Sequence, residues 1–287
     1  MDVKFELSLA NYKKSVEPLL MEREASNNLM LGILDRLASD SDSYKEGFHL
    51  GLVEQNGETI YAFLQTSTNN WILADVNHVH NKVIRKVAAF LHDTNVGVPG
   101  VLGPTEKVEV FKNEWEKLTQ SQATIEMKQL IYQLDQVNEI PETKGQLHEA
   151  KPKDHPLVKK WLTQFGVAVS ENISKEDADK IAQSFICNRT LYFWVVDGKP
   201  VSMVNRSRKT KNGATLNAVF TPDEYKRNGY ATAAVAKLSE KLLKDGFQFC
   251  SLYTDLANST SNSIYKKIGY YEVASSIVYT FNNRPHS

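Results

Sequence analysis

Ahead of a run of small, helix-forming residues the chain places two cations, an amide and a glycine: Lys226-Arg227-Asn228-Gly229-Tyr230-Ala231-Thr232. Alanine-rich sequence favours helix, so Tyr230 is expected to open one and Lys226 to Gly229 to form the turn before it. The first N–H groups of a helix have no intrahelical partners and lie at the positive end of its dipole. A turn placed there suits a phosphate. Gly229 lets the backbone approach an anion with no Cβ in the way, and Lys226 and Arg227 add charge. A solvated basic turn is the plainer reading of the same residues.

The neighbouring elements would hold this turn in place. Thr215 to Phe220 mixes β-branched, aromatic and small residues as a strand does. Pro222 ends it, having no N–H for a ladder. Downstream, Ala231, Ala234, Val235, Leu238, Leu242 and Leu243 recur near helical spacing. Gly246 closes that helix, Phe247 to Thr254 reads as a strand, Ser259 to Ile268 as a helix closed by Gly269, and Tyr270 to Phe281 as the last strand. Before the turn come a short strand over 147–150, a helix capped by Asp154, and a helix opened by Ser174-Lys-Glu-Asp177. A hairpin over 191–208 turns at Asp197-Gly198. The first half shows the same order: two helices within 11–38, strands over 47–53, 59–66 and 71–76, a helix over 79–92, a strand over 98–102, a helix over 106–118 and a strand over 123–137. Residues 138–146 are polar, contain Pro141 and Gly145, and read as a linker.

Lys226-x-x-Gly229-x-Ala231 resembles the Arg/Gln-x-x-Gly-x-Gly/Ala signature of the GCN5-related N-acetyltransferases (GNAT). A second stretch, Asn258-Ser259-Thr260-Ser261-Asn262-Ser263-Ile264-Tyr265-Lys266-Lys267-Ile268-Gly269-Tyr270, resembles that family's Asn-x-x-Ala/Ser-x-x-Leu/Ile-Tyr-x-x-x-Gly-Phe/Tyr element. The likeness is specific over about 190–281, weaker over 147–190 and architectural over 1–137. It implies an α/β (α+β) class with two tandem GNAT folds, each a mixed, mostly antiparallel sheet flanked by helices. The division would be a degenerate domain at 1–137, a linker at 138–146 and an acetyl-CoA-binding domain at 147–287. In the first half, Asp75-Val76-Asn77-His78-Val79-His80-Asn81 stands where the loop should be, with no glycine and no paired base. His78 and His80 read as surface residues.

By the same resemblance, the backbone of Ala218, Val219, Phe220 and Thr221 would pair with pantetheine, and Lys226 to Thr232 would cradle the pyrophosphate of acetyl-CoA. Asn258 would contact pantetheine, or equally cap a helix. Tyr265 would protonate the departing thiolate, unless it is a core tyrosine. Asp255 is the candidate general base, with a water chain as the alternative. Two departures stand out: Lys226 keeps charge without the planar fork of arginine, and Arg227 sits where many members have glycine. Tyr192, Trp194 and Tyr253 could line the acceptor pocket, though core packing suits at least two of them.

The chain has 287 residues, 41% of them hydrophobic and 24% charged, and 34 basic residues balance 34 acidic ones. This suits a globular chain of about two domains and argues against a nucleic-acid binder, which shows a basic excess. Cys187 and Cys250 form no metal-ligand spacing, and no metal is expected. No signal peptide or membrane-length apolar run is seen, so a cytoplasmic protein is expected. The sequons headed by Asn172, Asn188, Asn205 and Asn258 are then chance matches. No Gly-x-x-x-x-Gly-Lys-Ser/Thr occurs, against a nucleotide hydrolase. The expected activity is direct acetyl transfer from acetyl-CoA to a primary amine, on a small molecule or peptide, by a monomer more readily than a homodimer. The rivals are an acyl-CoA sensor without turnover, and an acyltransferase using another acyl donor or an alcohol.

Overall fold

The computed structural model describes residues 1–39, 47–67, 69–169 and 173–282; Asn172, which heads one of the sequons, lies outside them. The strands are β1 (Asp2–Phe5), β2 (Phe48–Gln55), β3 (Glu58–Thr66), β4 (Trp71–Leu73), β5 (Gly100–Pro104), β6 (Gln122–Leu134), β7 (Gln146–Glu149), β8 (Leu191–Val196), β9 (Lys199–Lys209), β10 (Gly213–Phe220), β11 (Phe249–Asp255) and β12 (Tyr271–Asn282). The helices are α1 (Leu9–Met21), α2 (Asn28–Ser39), α3 (Asn81–Asp93), α4 (Thr105–Thr119), α5 (His155–Ala168), α6 (Lys175–Cys187), α7 (Tyr230–Lys244) and α8 (Ser259–Ile268). Element types follow the sequence expectation, apart from the edge strand β1, which pairs antiparallel with β2. Ser8 caps α1, its side chain accepting the Asn11 N–H. Ser174 caps α6 by accepting the Asp177 N–H at 3.0 Å. Among the described residues no helix is long and apolar enough to cross a membrane.

The chain forms two compact units that are not contiguous in sequence. One holds 1–131, 254–257 and 272–287; the other holds 132–253 and 258–271. The cut therefore departs from 1–137, 138–146 and 147–287. The last strand, β12, pairs antiparallel with β5, Tyr279 opposite Val101. Its Ile277, Tyr279 and Phe281 join the first unit's core beside Phe111 and Trp115. That unit's sheet otherwise runs β1, β2, β3, β4, β5, with the β4–β5 pair parallel. Residues 138–146 pack on the second unit. The Asn138 N–H donates to the Ile268 carbonyl at 2.8 Å, and Trp194 Nε1 donates to the Lys144 carbonyl at 3.0 Å.

In the second unit the sheet runs β7, β8, β9, β10, β11, antiparallel except for the β10–β11 pair. Its α5–α6 face is apolar. Trp161 meets Phe193 edge-on, with ring centroids 5.5 Å apart, and Phe220 at 6.2 Å. Leu191, Met203 and Ala218 join the same cluster. Successive side chains of a strand point to opposite faces, so the residues between these face the other way, where α7 packs on β8 and β9.

Candidate active site

Two strands part company at the centre of the second unit. Among the described residues the parallel β10–β11 ladder runs from Gly213–Phe249 to Leu216–Leu252 and ends there, while β10 continues to Phe220 and β11 to Asp255. A bulge sits just past the parting. On the β9 side, Asn217 faces Asn205 and Phe220 faces Met203, so Ala218 and Val219 together oppose Val204. Ala218 takes φ +47°, a left-handed conformation uncommon for a residue with a Cβ. Such bulges bend a strand and sharpen its twist, turning β10 away from β11. Ser202, fully buried, fixes the strand end: its Oγ donates to the Phe220 carbonyl at 3.1 Å and accepts from Thr221 Oγ1 at 2.8 Å.

The basic turn follows. Asp223–Tyr225 form one turn of 3₁₀ helix, Arg227 takes φ +65°, and Gly229 takes φ +77° and starts α7 with no side chain capping it. The Ala233 N–H reaches the Gly229 carbonyl at 2.9 Å, leaving the N–H groups of Tyr230, Ala231 and Thr232 as the uncapped first turn. Asn228, exposed, folds back on the turn, its Nδ2 donating to the Tyr225 and Lys226 carbonyls at 3.1 and 3.0 Å. Lys226 pairs with Asp223 at 2.5 Å, an exposed pair worth little in water. The site's electropositive character therefore comes chiefly from α7 and Arg227. Thr143, from the segment before β7, lies beside Gly229: a Cβ added there would come 3.3 Å from Thr143 Oγ1.

Tyr265 is buried on α8, one turn after Ser261. Burial pushes its hydroxyl up to about 12, and the hydrogen bond with Ser261 pulls the other way. Two more tyrosines surround it: Tyr132, ring centroid 6.4 Å away, and Tyr270, at 6.0 Å with its hydroxyl on Ser239 Oγ at 2.8 Å. Asn258 is a helix cap, accepting the Ser261 N–H at 3.0 Å. Asp255 is exposed and caps the turn after β11, its Oδ1 accepting the Ala257 N–H at 2.8 Å. It groups with 254–257 of the first unit, whereas Tyr265 belongs to the second. Cys250 is fully buried and held protonated, pushed up to about 12 by desolvation.

The three aromatics named for the acceptor side do not share one face of the sheet. Leu191 and Phe193 take the α5–α6 face, so Tyr192 and Trp194 point to the face on which α7 packs. Tyr253 stays on the α5–α6 face: Ser251 Oγ meets Thr215 Oγ1 at 2.9 Å, and Arg208 lies 5.8 Å over the Tyr253 ring.

In the first unit the corresponding strand edge is occupied by its own side chains. The β4–β5 pairing reaches Ile72–Leu102. Just beyond it, the Asp75 N–H donates to Asn27 Oδ1 and the Asp75 carbonyl accepts from Asn27 Nδ2, both at 2.8 Å. Arg23 Nε and Ser26 Oγ hold the Asp75 carboxylate at 2.8 and 2.6 Å. His78 and His80 are exposed, as expected. Asn27 thus supplies from within the chain the amide pairing that β10 leaves open.

Sequence reasoning missed Ser202, Asn205, Asn217 and Thr143. A carboxamide in the largely apolar run 214–220 was the available signal for Asn217; nothing in the sequence marks the others.

Residues 195–278 match the family model described as FR47-like protein. No curated protein sequence matches the chain. Among solved structures, a GNAT-family acetyltransferase from Colwellia psychrerythraea is 13% identical, with 98% of this chain and 99% of that one covered at a TM-score of 0.61. A GCN5-related N-acetyltransferase from Sphaerobacter thermophilus is 11% identical, covering 99% and 96% at 0.64. A tandem GNAT protein from the clavulanic acid biosynthesis pathway is 11% identical and covers all of both chains at 0.57.

Proposed function

From a tandem GNAT fold in which one half keeps an open strand edge, we propose that this protein is an acyl-CoA-dependent N-acyltransferase, with acetyl-CoA as donor and a primary amine as acceptor. The observation that carries the reading is the continuous path from the β10–β11 parting, past the Ala218–Val219 bulge, to the uncapped start of α7. A strand edge offers amide-like pairing to pantetheine, and a helix start with a glycine beside it suits a pyrophosphate. On this reading the second unit carries the donor site and the first is a degenerate copy.

The amine nitrogen attacks the thioester carbon in a ternary complex, forming the C–N bond. Backbone N–H groups at the bulge polarise the carbonyl as negative charge builds on its oxygen. The C–S bond breaks, and the thiolate takes the Tyr265 proton. The surplus proton on the new amide nitrogen leaves to water, and solvent restores the Tyr265 proton, so the products are amide and free thiol. Asp255, committed to its turn, is a weaker choice of base than a water chain. The scheme calls for no metal, nucleic acid or membrane. A cytoplasmic monomer fits it.

Thermal unfolding with and without acetyl-CoA tests the donor claim. Ligand at a hundred times its dissociation constant should add about 2.7 kcal/mol. No shift in the intact protein would refute it. The closed edge in the first unit favours one rival, since such a fold can persist without a working site. Thiol release with an amine panel separates a transferase from an acyl-CoA sensor, and donor chain length separates acetyl from longer acyl groups.

A further inference from the structure

We propose that Asn217, held by Asn205, is the group that receives the acceptor amine beside the thioester. This rests on the acyltransferase reading above.

Asn217 occupies the residue between the last β10–β11 pair, at Leu216, and the bulge at Ala218. Its neighbours Leu216 and Ala218 are buried, yet Asn217 is exposed. It stands opposite Asn205 on the sheet, and Asn205 in turn stands opposite Leu191. Leu191 and Met203 belong to the α5–α6 cluster, so the amide pair lies on that face, at the place where the strands part. Asn205 Nδ2 donates to Asn217 Oδ1 at 2.8 Å. Asn205 is fully buried, and its own Oδ1 has no hydrogen-bond partner. Leaving a buried acceptor unpaired is costly, and here that cost is borne in positioning an exposed carboxamide. A bulky apolar residue would cover the site without it.

The chemistry fits an amine. A carboxamide oxygen has two lone pairs, and Asn205 uses one. The other accepts an N–H of a neutral amine, leaving the nitrogen lone pair to attack the carbonyl. A carboxamide does not take up a proton, so Asn217 orients the nucleophile and the surplus proton still leaves to water. The acceptor class that follows is a neutral amine with an N–H to donate. A tertiary amine lacks that donor.

The test uses hydroxylamine as a minimal acceptor at pH 8, with thiol release above the enzyme-free rate followed in the full chain and acetyl-CoA affinity measured by calorimetry. Asn217→Ala should raise KM for hydroxylamine roughly tenfold while the acetyl-CoA dissociation constant stays within about twofold. Asn217→Asp keeps an acceptor oxygen for both Asn205 and the amine and should restore most of the loss. Wild-type kinetics in Asn217→Ala would overturn the inference. So would an alanine variant that loses acetyl-CoA affinity instead, because the residue would then serve the donor. If the wild type binds acetyl-CoA but releases no thiol, this inference falls and the donor site stands. If the wild type binds no acetyl-CoA, the underlying functional reading fails first.

Discussion

Replacing Gly229 separates two things that the loop does at once. Gly229 sits at φ +77°, and a Cβ there would lie 3.3 Å from Thr143 Oγ1. Alanine there incurs the left-handed penalty of about 1–2 kcal/mol. The contact adds little, since the Thr143 side chain is partly exposed and can turn aside. Gly229→Ala should therefore lose roughly 1–2 kcal/mol without ligand by urea unfolding, and Gly229→Asp less, because aspartate tolerates the left-handed region better and suits the start of a helix. Their affinities should differ. The alanine leaves the N–H groups of Tyr230 to Thr232 in place, and acetyl-CoA binding should weaken only a few-fold. The aspartate sets a negative charge beside the bound pyrophosphate. At about 4 Å and an effective dielectric constant near 20, one pair of like charges costs about 4 kcal/mol. Screening at an exposed turn reduces this, so a hundredfold weakening or more is the conservative expectation. Calorimetric titration of both variants against wild type decides it. If aspartate and alanine bind acetyl-CoA equally well, no anion sits at the start of α7 and the loop is a solvated turn.

Tyr265→Phe should lower kcat about a hundredfold or more with acetyl-CoA affinity nearly unchanged; an unaltered kcat would assign Tyr265 to the core alone. Calorimetry should find one acetyl-CoA per chain, because Asn27 already fills the equivalent edge in the first unit; a stoichiometry of two would contradict that assignment. Asn27→Ala should destabilise the protein by about 1–3 kcal/mol, since it strands the buried Asp75 peptide. Cys250 gives a pH signature. Its folded value, about 12, lies above the ordinary thiol range, so its contribution to stability is complete below about pH 8.5 and is lost as pH rises toward 12. Between pH 8 and 10, Cys250→Ala should lose about 2 kcal/mol less than wild type in urea unfolding; equal losses would mean that the thiol titrates freely in the fold.

The local pieces of the site were legible because each has a local cause. Gly229, the alanines after it and Pro222 fix where strand, turn and helix change, and the structure puts those changes within a residue or two of expectation. The Ser174-x-x-Asp177 cap is read the same way. Facing directions were harder. Alternation in Leu191–Val196 says that Tyr192 and Trp194 share a face, but which helices cover that face depends on how the chain winds over the sheet. Partners distant in sequence were out of reach. The alternation of Tyr271–Asn282 is the same whichever sheet receives it, so nothing local shows that β12 pairs with β5. Nothing local marks Asn27, and its bonds to Asp75, 48 positions away, appear only in three dimensions.

That destination of β12 has a bearing on how the protein is made. Val101 waits for its partner Tyr279, a separation of roughly 180 residues, and at translation rates of about 5–20 residues per second that interval is on the order of ten to forty seconds. During it the nascent first half carries β5 with an unsealed strand edge and lacks Ile277, Tyr279 and Phe281 from its core. An exposed strand edge is a template for pairing with other chains. Synthesis order and folding order therefore run against each other here: the half emerging first from the ribosome is completed last, and chaperone dependence during expression should fall on it.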